Sequence, residues 1–296
     1  MKLENFDELF TGHPEEIENN LRKLLPQANS LENKSLYLQI LSQIALAQAM
    51  QKKFDVAHAT LDMAEASLEP EYSLARVRIL LERGRVFHQA DNMDAALPLF
   101  KESYELSAEN GFDCHTVNAA HMIAIVIKDI NEKISWNLKA ISLAEKTDGE
   151  RCLTWLSVLH NNLAQNYIEA EQYQNALFSF EKCKEYAEKK EEMIVMRGAK
   201  WGIARSLRSL NKLDEAFNIQ ISLLKEYDDI VQNKTLPMGL IVVGRGMVYE
   251  ELAEIYLAHA KKYAEFAYHD LSQDPWCAKL IPERLEKMKQ LHLNGK

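Results

Sequence analysis

The sequence predicts an all-α solenoid in which antiparallel helix pairs repeat along the chain. One residue position, small in four of its five occurrences, recurs at Ala57, Ala96, Trp136, Ala176 and Ala216, with separations of 39, 40, 40 and 40 residues. A nearly constant period of this size is typical of helical repeat arrays. The 10 Gly and 7 Pro among 296 residues are few, and the 47% hydrophobic content is sufficient for a continuous core.

Each period contains two apolar segments at helical spacing, separated by a short polar turn. The clearest period has His160, Leu163, Ala164 and Tyr167 in its first segment and Tyr173, Ala176, Phe180 and Cys183 in its second. Two earlier periods share this arrangement: Leu80, Arg83, Gly84 and Phe87 lead to Met93, Ala96 and Phe100, and Leu41, Ile44 and Ala45 lead to Phe54, Ala57, Leu61 and Ala64. We expect the first-helix residues Ala45, Gly84, Ala124, Ala164 and Ala204 to face small residues of the second helix, because only small side chains let helices approach closely.

The two ends of the chain are predicted to cap the array. Phe6, Leu9 and Phe10 precede a helix that starts at Pro14 and reaches about Leu25, and Pro282 opens a charged helix that reaches Leu291. A sixth unit is predicted to be a degenerate helix pair, with Val248, Tyr249, Leu252, Ala253 and Tyr256 followed by Tyr263, Ala264 and Ala267. The glycine-rich stretch 239–246 is expected to be a flexible connection. We therefore predict one domain over 1–296, with caps at 1–33 and 271–296 and repeats over 34–270.

These residues resemble the tetratricopeptide repeat (TPR) pattern, in which Trp, Leu, Gly and Tyr of a first helix precede Ala, Phe and Pro of a second. The resemblance covers residues 34–270 and implies a right-handed superhelical solenoid of about six repeats. Three features depart from the pattern. The period is near 40 residues rather than 34, Trp136 occupies a small-residue position, and the closing proline is mostly absent, with Pro70 the nearest match.

Charge and targeting signals favour a soluble, cytoplasmic protein. The 35 basic and 44 acidic residues give a net charge of −9, which disfavours nucleic acid and anionic membranes as partners. The first eight residues lack a secretory signal, and no run approaches the ~18 apolar residues of a membrane span. The four cysteines, Cys114, Cys152, Cys183 and Cys277, form no C-x2-C motif, so reduced and buried thiols are expected for most of them.

No sequence motif predicts catalysis, a metal or a cofactor. The glycine-rich stretch lacks the Gly-Lys-Ser/Thr of a phosphate-binding loop. His115 and His121 are six residues apart and point in opposite directions on a helix, so they cannot share a metal ion. Glu250 and Glu254 share a helical face, but a solvated acidic face explains them without an enzyme. An enzyme with its site near Glu250, Glu254 and Arg245 remains the weakest of three alternatives.

The resemblance also implies that the first helix of each pair lines a concave groove, and it transfers inward positions onto this chain. Those positions carry five basic residues, Arg78, Arg85, Lys128, Arg205 and Arg208, against the two acidic residues Asp129 and Glu169. A solvated face would also be polar, so chance remains an alternative. The predicted peptide-binding residues are Arg78, Arg85, His88, Asn118, His121, Lys128, Asn161, Asn162, Gln165, Trp201, Arg205 and Arg208. Trp136, Trp155 and Tyr249 are interpreted as packing residues.

The sequence therefore predicts a noncatalytic scaffold that binds a protein or peptide, preferably an acidic segment, in this groove. Arginine pairs bidentately with carboxylates, side-chain amides can bind a peptide backbone, and Trp201 offers a flat apolar anchor. The alternative is a regulatory sensor whose groove takes a signalling peptide or a small metabolite.

Overall fold

A computed structural model describes residues 6, 12–30, 33–147, 150–234, 236–273 and 282–293. Within these ranges the chain forms helices and connecting turns, and no strand is present. The contacts group the chain into two compact units, residues 1–166 and 167–296.

The first unit contains consecutive helices that pack against their neighbours in chain order. They are α1 (Pro14–Ser30), α2 (Lys34–Met50), α3 (Phe54–Glu65), α4 (Ser73–Gln89), α5 (Met93–Glu109), α6 (Asp113–Val126), α7 (Ile130–Lys146), α8 (Glu150–Leu153) and α9 (Leu156–Glu169), whose last turn crosses the unit boundary. In addition to sequential contacts, α2 packs on α4, which brings the first helices of successive repeats together. The predicted N-terminal helix is confirmed, and it continues past Leu25 to Ser30.

The second unit contains α10 (Tyr173–Lys189), α11 (Met193–Ser209), α12 (Leu213–Asn233), α13 (Met238–Ser272) and α14 (Pro282–Leu293). The predicted helix at Pro282 is confirmed and ends two residues beyond Leu291. The predicted hairpin of the sixth unit is wrong, because residues 238–272 form one continuous helix without a turn.

Six of the connections between helices in the described residues are three-residue turns of a single type. The middle residue is left-handed, with φ of 57–61° at Lys52, Asp91, Glu171, Glu191 and Asn211 and 68° at Gly111. In each case the middle N–H and the next N–H bond back to carbonyls of the preceding helix, as in Lys52 to Ala49 and Lys53 to Gln48. This is the Schellman arrangement that ends many helices. The turn chemistry therefore fixes where each helix stops, although glycine is absent from most of these positions.

The small-residue positions lie at helix contacts. Ala57, Ala96, Ala176 and Ala216 are fully buried, as are Ala45, Ala164 and Ala204 on the first helices. The expectation that small residues face small residues is corrected at Gly84, where an added Cβ would collide with the ring of Phe100. A missing side chain on one helix thus accommodates an aromatic ring on the next.

The third repeat has a different register from the one predicted. Helix α6 ends at Val126, three residues earlier than the equivalent 17-residue helices α2 and α4, so α7 starts three residues early as well. Position four of α7, which is alanine in α3, α5, α10 and α12, is therefore Lys133. Trp136 does not occupy the small position; it is half-buried and packs edge-to-face on Tyr104, with ring centroids 5.2 Å apart. Its predicted role in packing is confirmed.

The glycine-rich stretch is helical, which corrects its interpretation as a flexible connection. Residues 239–246 form the first turns of α13. An added Cβ at Gly244 would collide with the Tyr227 ring on α12. Gly244 therefore allows close approach of these two helices, which offsets the intrinsic cost of glycine in a helix.

The expectation of reduced cysteines is wrong for two of the four. Cys114 and Cys152 form a disulfide, with Cα atoms 5.1 Å apart. Cys183 is a buried free thiol, and burial raises its pKa to about 12. Cys277 lies outside the described residues, as do Leu9 and Phe10. No helix among the described residues is long and apolar enough to cross a membrane.

Candidate functional site

The first unit contains a cavity of about 360 Å³ formed chiefly by the first helices of three successive repeats. Helices α2, α4 and α6 supply most of its wall, and Trp155 in the turn before α9 completes it. A volume of this size lies within the range of small-ligand and side-chain pockets. The lining residues are Gln43, Leu46, Arg78, Leu81, Glu82, Arg85, Cys114, His115, Asn118 and Trp155.

A hydrogen-bonded chain of four polar side chains crosses the cavity wall. The carboxylate of Glu82, only 2% exposed, accepts hydrogen bonds from Gln43 Nε2 at 2.9 Å and from Arg85 Nη1 at 3.0 Å to each oxygen. Arg85 Nη2 donates to Asn118 Oδ1 at 2.7 Å. Buried charges are tolerated when they are paired and hydrogen-bonded in this way. The chain therefore fixes the orientation of three repeats' side chains around one opening.

Arg78 adds a second guanidinium to the wall. It is 7% exposed, and its guanidinium carbon lies 4.9 Å from the centroid of the Phe6 ring, a cation–π arrangement. With Arg85 and Glu82, the lining carries two formal positive charges and one negative charge. The cavity is formally positive although the chain as a whole has a net charge of −9.

Trp155 forms the aromatic part of the wall and packs on α6 through His121. Its ring centroid lies 5.4 Å from that of His121, a buried residue whose Nδ1 makes no hydrogen bond. Burial, with a smaller contribution from the charge of Arg85, lowers the pKa of His121 to about 4. The imidazole is therefore neutral at pH 7 and acts as a packing surface for the indole. Trp155 both packs, as predicted, and lines the cavity.

In the second unit, the predicted site residues of α11 make contacts within that unit. Trp201 Nε1 donates to the Met247 carbonyl at 3.1 Å, and the guanidinium of Arg205 lies 5.4 Å from the Trp201 ring centroid. Arg208 pairs with the buried Glu251, with Nη2 3.3 Å from Oε2. Burial acts to lower the pKa of Arg208, but the hydrogen bond and charge of Glu251 outweigh it and raise that pKa.

The remaining predicted residues differ in exposure. Lys128 is exposed, and its Nζ lies 3.1 Å from Oδ1 of Asp94, which is also exposed. His88 is half-buried, and burial lowers its pKa. Asn161, Asn162 and Gln165 are half-buried on α9, where the Asn161 amide lies 3.4 Å from Asn162 Oδ1. Of the twelve predicted residues, the cavity brings together Arg78, Arg85 and Asn118, with His121 directly behind Trp155.

The side chains considered for an enzyme, Glu250, Glu254 and Arg245, all lie in the first half of α13. Glu250 and Glu254 are both exposed. Arg245 pairs with Asp228 at 3.3 Å and donates to the Tyr249 hydroxyl at 2.8 Å. Across the described part of the chain, no three His, Cys, Asp or Glu residues are positioned to hold a metal ion.

Solved structures identify this helical arrangement. The chain superposes on BtubC from P. vanneervenii with a TM-score of 0.63 at 14% identity, over 77% of this chain and 95% of that one. A putative kinesin light chain with TPR-like repeats from Podosopora anserina gives 0.53 at 17% identity, over 70% of this chain and all of that one. The fold is that of a TPR solenoid.

A third similar structure places a TPR array in a larger protein. It is the STAND ATPase with a tetratricopeptide repeat sensor from Pyrococcus horikoshii, with a TM-score of 0.62 at 18% identity. The match covers 92% of this chain, which spans 41% of that protein. Neither a protein-family model nor a curated protein matches this sequence.

The TPR positions transferred from the resemblance missed more than half of the cavity wall. Glu82 was missed because it lies one position after an inward one, and Gln43 because no positions were transferred to the first repeat. A usable signal was present: Gln43 and Glu82 are 39 residues apart, and Cys114 and Cys152 are 38 apart, so each pair is separated by about one repeat period of this chain. Residues one period apart lie on adjacent repeats and can meet.

Proposed function

We propose that this chain is a noncatalytic scaffold that binds a protein or peptide segment at the cavity of the first unit. The observation that carries the proposal is the continuous polar chain Gln43–Glu82–Arg85–Asn118 beside the half-buried Trp155. Side-chain amides can pair with a peptide backbone, and an indole supplies apolar contact area. Similar folds in known TPR proteins support a binding role without establishing a partner.

We further propose that the bound segment is acidic. The guanidinium groups of Arg78 and Arg85 both line the cavity, and guanidinium forks pair readily with carboxylates. Arg85 is held by Glu82 and Asn118, so its fork is already oriented before a ligand enters. A preorganised charged group loses little conformational entropy on binding, which increases affinity.

The experiment measures binding of three length-matched fluorescent peptides, acidic, neutral and basic, by anisotropy. We expect the acidic peptide to bind most tightly and its affinity to fall as salt rises, because added ions screen charge pairing. The double variant Arg85→Met with Glu82→Gln removes both charges together, so that no buried carboxylate is left unpaired. We expect this double variant to bind the acidic peptide with an affinity lower by about tenfold or more.

Arg76→Met provides the matched control, because Arg76 is also on α4 but is exposed and pairs with Glu102 outside the cavity. It should leave affinity unchanged. Equal affinity for the three peptides contradicts the acidic preference alone. Unchanged binding by the double variant contradicts the cavity as the site.

A sensor function is the second proposal, in which the same cavity takes a signalling peptide or a small metabolite. It is favoured by the similarity to the Pyrococcus horikoshii protein, which has a tetratricopeptide repeat sensor. Calorimetry with small carboxylates as the probe separates it from the scaffold: millimolar or tighter binding of a free small carboxylate favours the sensor.

We also propose a cytoplasmic location and no nucleic-acid partner, in keeping with the net charge of −9.

A further inference from the structure

The disulfide of the first unit is part of the cavity wall. Cys114 lies in the first turn of α6, is half-exposed and lines the cavity beside His115 and Asn118. Cys152 lies on the single-turn helix α8 and is fully buried. Helix α8 packs on α6 and α7, and four residues cannot sustain a helix without such contacts. The covalent bond therefore holds α8 against α6.

The same bond is connected to the aromatic wall through one turn of backbone. The N–H of Trp155 donates to the carbonyl of Cys152 at 3.1 Å, and the N–H of Leu159 donates to the carbonyl of Trp155 at 2.9 Å. The segment 152–155 thus contacts α6 through the sulfur of Cys114 and the ring of His121, in addition to the packing of α8 on α6 and α7. Loss of the covalent bond leaves noncovalent contacts to position Cys152 and Trp155.

The exposed side of the bond suits it for exchange. A dithiol that enters the cavity meets Cys114, which is half-exposed and lines the cavity, while Cys152 is shielded. In the exchange, one thiolate of the dithiol attacks Cys114 Sγ, and Cys152 leaves as a thiolate that takes up a proton. The second thiol then attacks the mixed disulfide and releases Cys114 as a thiol. The dithiol becomes a disulfide, and the protein gains two electrons and two protons.

We propose that Cys114 and Cys152 form a redox-controlled modification site at which reduction by a dithiol releases the Cys152–Trp155 segment from the cavity wall. In the oxidised protein, Trp155 is fixed beside Arg85 and Asn118, and the cavity is complete. In the reduced protein, α8 opens, and the aromatic wall is mobile. The proposal concerns the wall itself and does not depend on which ligand the cavity takes.

Hydrogen–deuterium exchange of the full chain, with and without dithiothreitol, tests this proposal without a ligand. At labelling times short enough for amides to exchange through local opening and not through global unfolding, we expect residues 152–159 to exchange about tenfold faster after reduction, while α2 and α4 change little. Mass spectrometry of the protein alkylated under denaturing conditions checks the thiol state of each sample. The double variant Cys114→Ser with Cys152→Ser should exchange like the reduced protein in either condition.

The matched control is Cys183→Ser, which removes the buried free thiol and should leave the response to dithiothreitol unchanged. Equal exchange at 152–159 in oxidised and reduced protein overturns the proposal. So does acceleration of equal size throughout α2–α7 at the same short labelling times, because it indicates a bond that only stabilises the whole unit. Alkylation of both cysteines in protein never exposed to reductant also overturns it.

Discussion

Gly198 and Gly202 lie one turn apart on α11 in opposite surroundings. A Cβ added at Gly198 meets no atom within 4 Å, whereas one added at Gly202 collides with the ring of Phe180. The two positions therefore separate the backbone cost of glycine from its use in packing. At Gly202, as at Gly84, an aromatic ring of the neighbouring helix fills the space that a side chain would occupy: Phe180 at Gly202 and Phe100 at Gly84.

We predict opposite effects of alanine at these two glycines. Gly198→Ala should raise the free energy of unfolding by about 0.5–1 kcal/mol, because alanine loses less conformational entropy in a helix. Gly202→Ala should lower it by about 1–2 kcal/mol, because displacement of Phe180 outweighs that gain. Urea unfolding of both variants measures the difference. A stabilised Gly202→Ala variant would mean that Phe180 packs elsewhere.

His121 predicts a pH dependence of stability. Its pKa is about 4 in the folded chain and near 6.5 when unfolded, so the unfolded chain binds more protons between these values. The contribution of neutral His121 is present above pH 6.5 and is lost as the pH falls towards 4, by up to about 3 kcal/mol. Chemical unfolding at pH 7.5, 6 and 5 should show a steeper decline for wild type than for His121→Gln. Parallel declines would contradict the assignment.

At the residue scale, the small and aromatic core positions could be predicted from the sequence, but the buried carboxylates could not. Ala164 and Ala176 follow from apolar spacing. Glu82 and Glu251, each two residues before the small residue of its repeat, are 2% and 3% exposed and pair with Arg85 and Arg208. In the sequence alone they are indistinguishable from solvated glutamates, because pairing depends on neighbours from the three-dimensional structure.

At the element scale, the turns determine where helices end. Five of the six left-handed turn positions carry non-glycine residues, which costs about 1 kcal/mol each in backbone energy. Six Schellman turns are still formed, because packing of the flanking helices outweighs that cost. Helix boundaries were predictable where the apolar period is regular. They were not predictable at α6, where a three-residue shortening shifts the register without any glycine or proline signal.

The turn between α5 and α6 provides the element-scale prediction. Gly111 has φ of 68° and no atom within 4 Å of an added Cβ, so alanine there incurs only the left-handed backbone cost. We expect Gly111→Ala to lower the free energy of unfolding by about 1 kcal/mol. Glu171→Gly, at the equivalent position of another turn, is the reciprocal control and should not destabilise. Thermal melts of both variants measure these changes in stability, and an unchanged melting temperature for Gly111→Ala would contradict the backbone cost.

At the scale of the whole molecule, one covalent bond closes a loop of 38 residues. In the chain-entropy model, a loop of this length restricts the unfolded chain enough to contribute about 4 kcal/mol to stability. Reduction should therefore lower the free energy of unfolding by about that amount. Urea titrations with and without reductant measure it, and Cys114→Ala with Cys152→Ala should not respond. An unchanged midpoint for wild type would contradict the prediction.

Contacts between residues one period apart have a consequence for how such an array can change over generations. Gln43 and Glu82 each supply half of a bond that joins neighbouring repeats. Duplication of a whole repeat copies both the hydrogen-bond donor and the acceptor of such a junction. The array can therefore lengthen while the same contacts form between the new neighbours. Loss of one partner, in contrast, leaves a buried group unsatisfied in the next repeat. Related sequences should therefore show paired substitutions at a lag of about 39 positions.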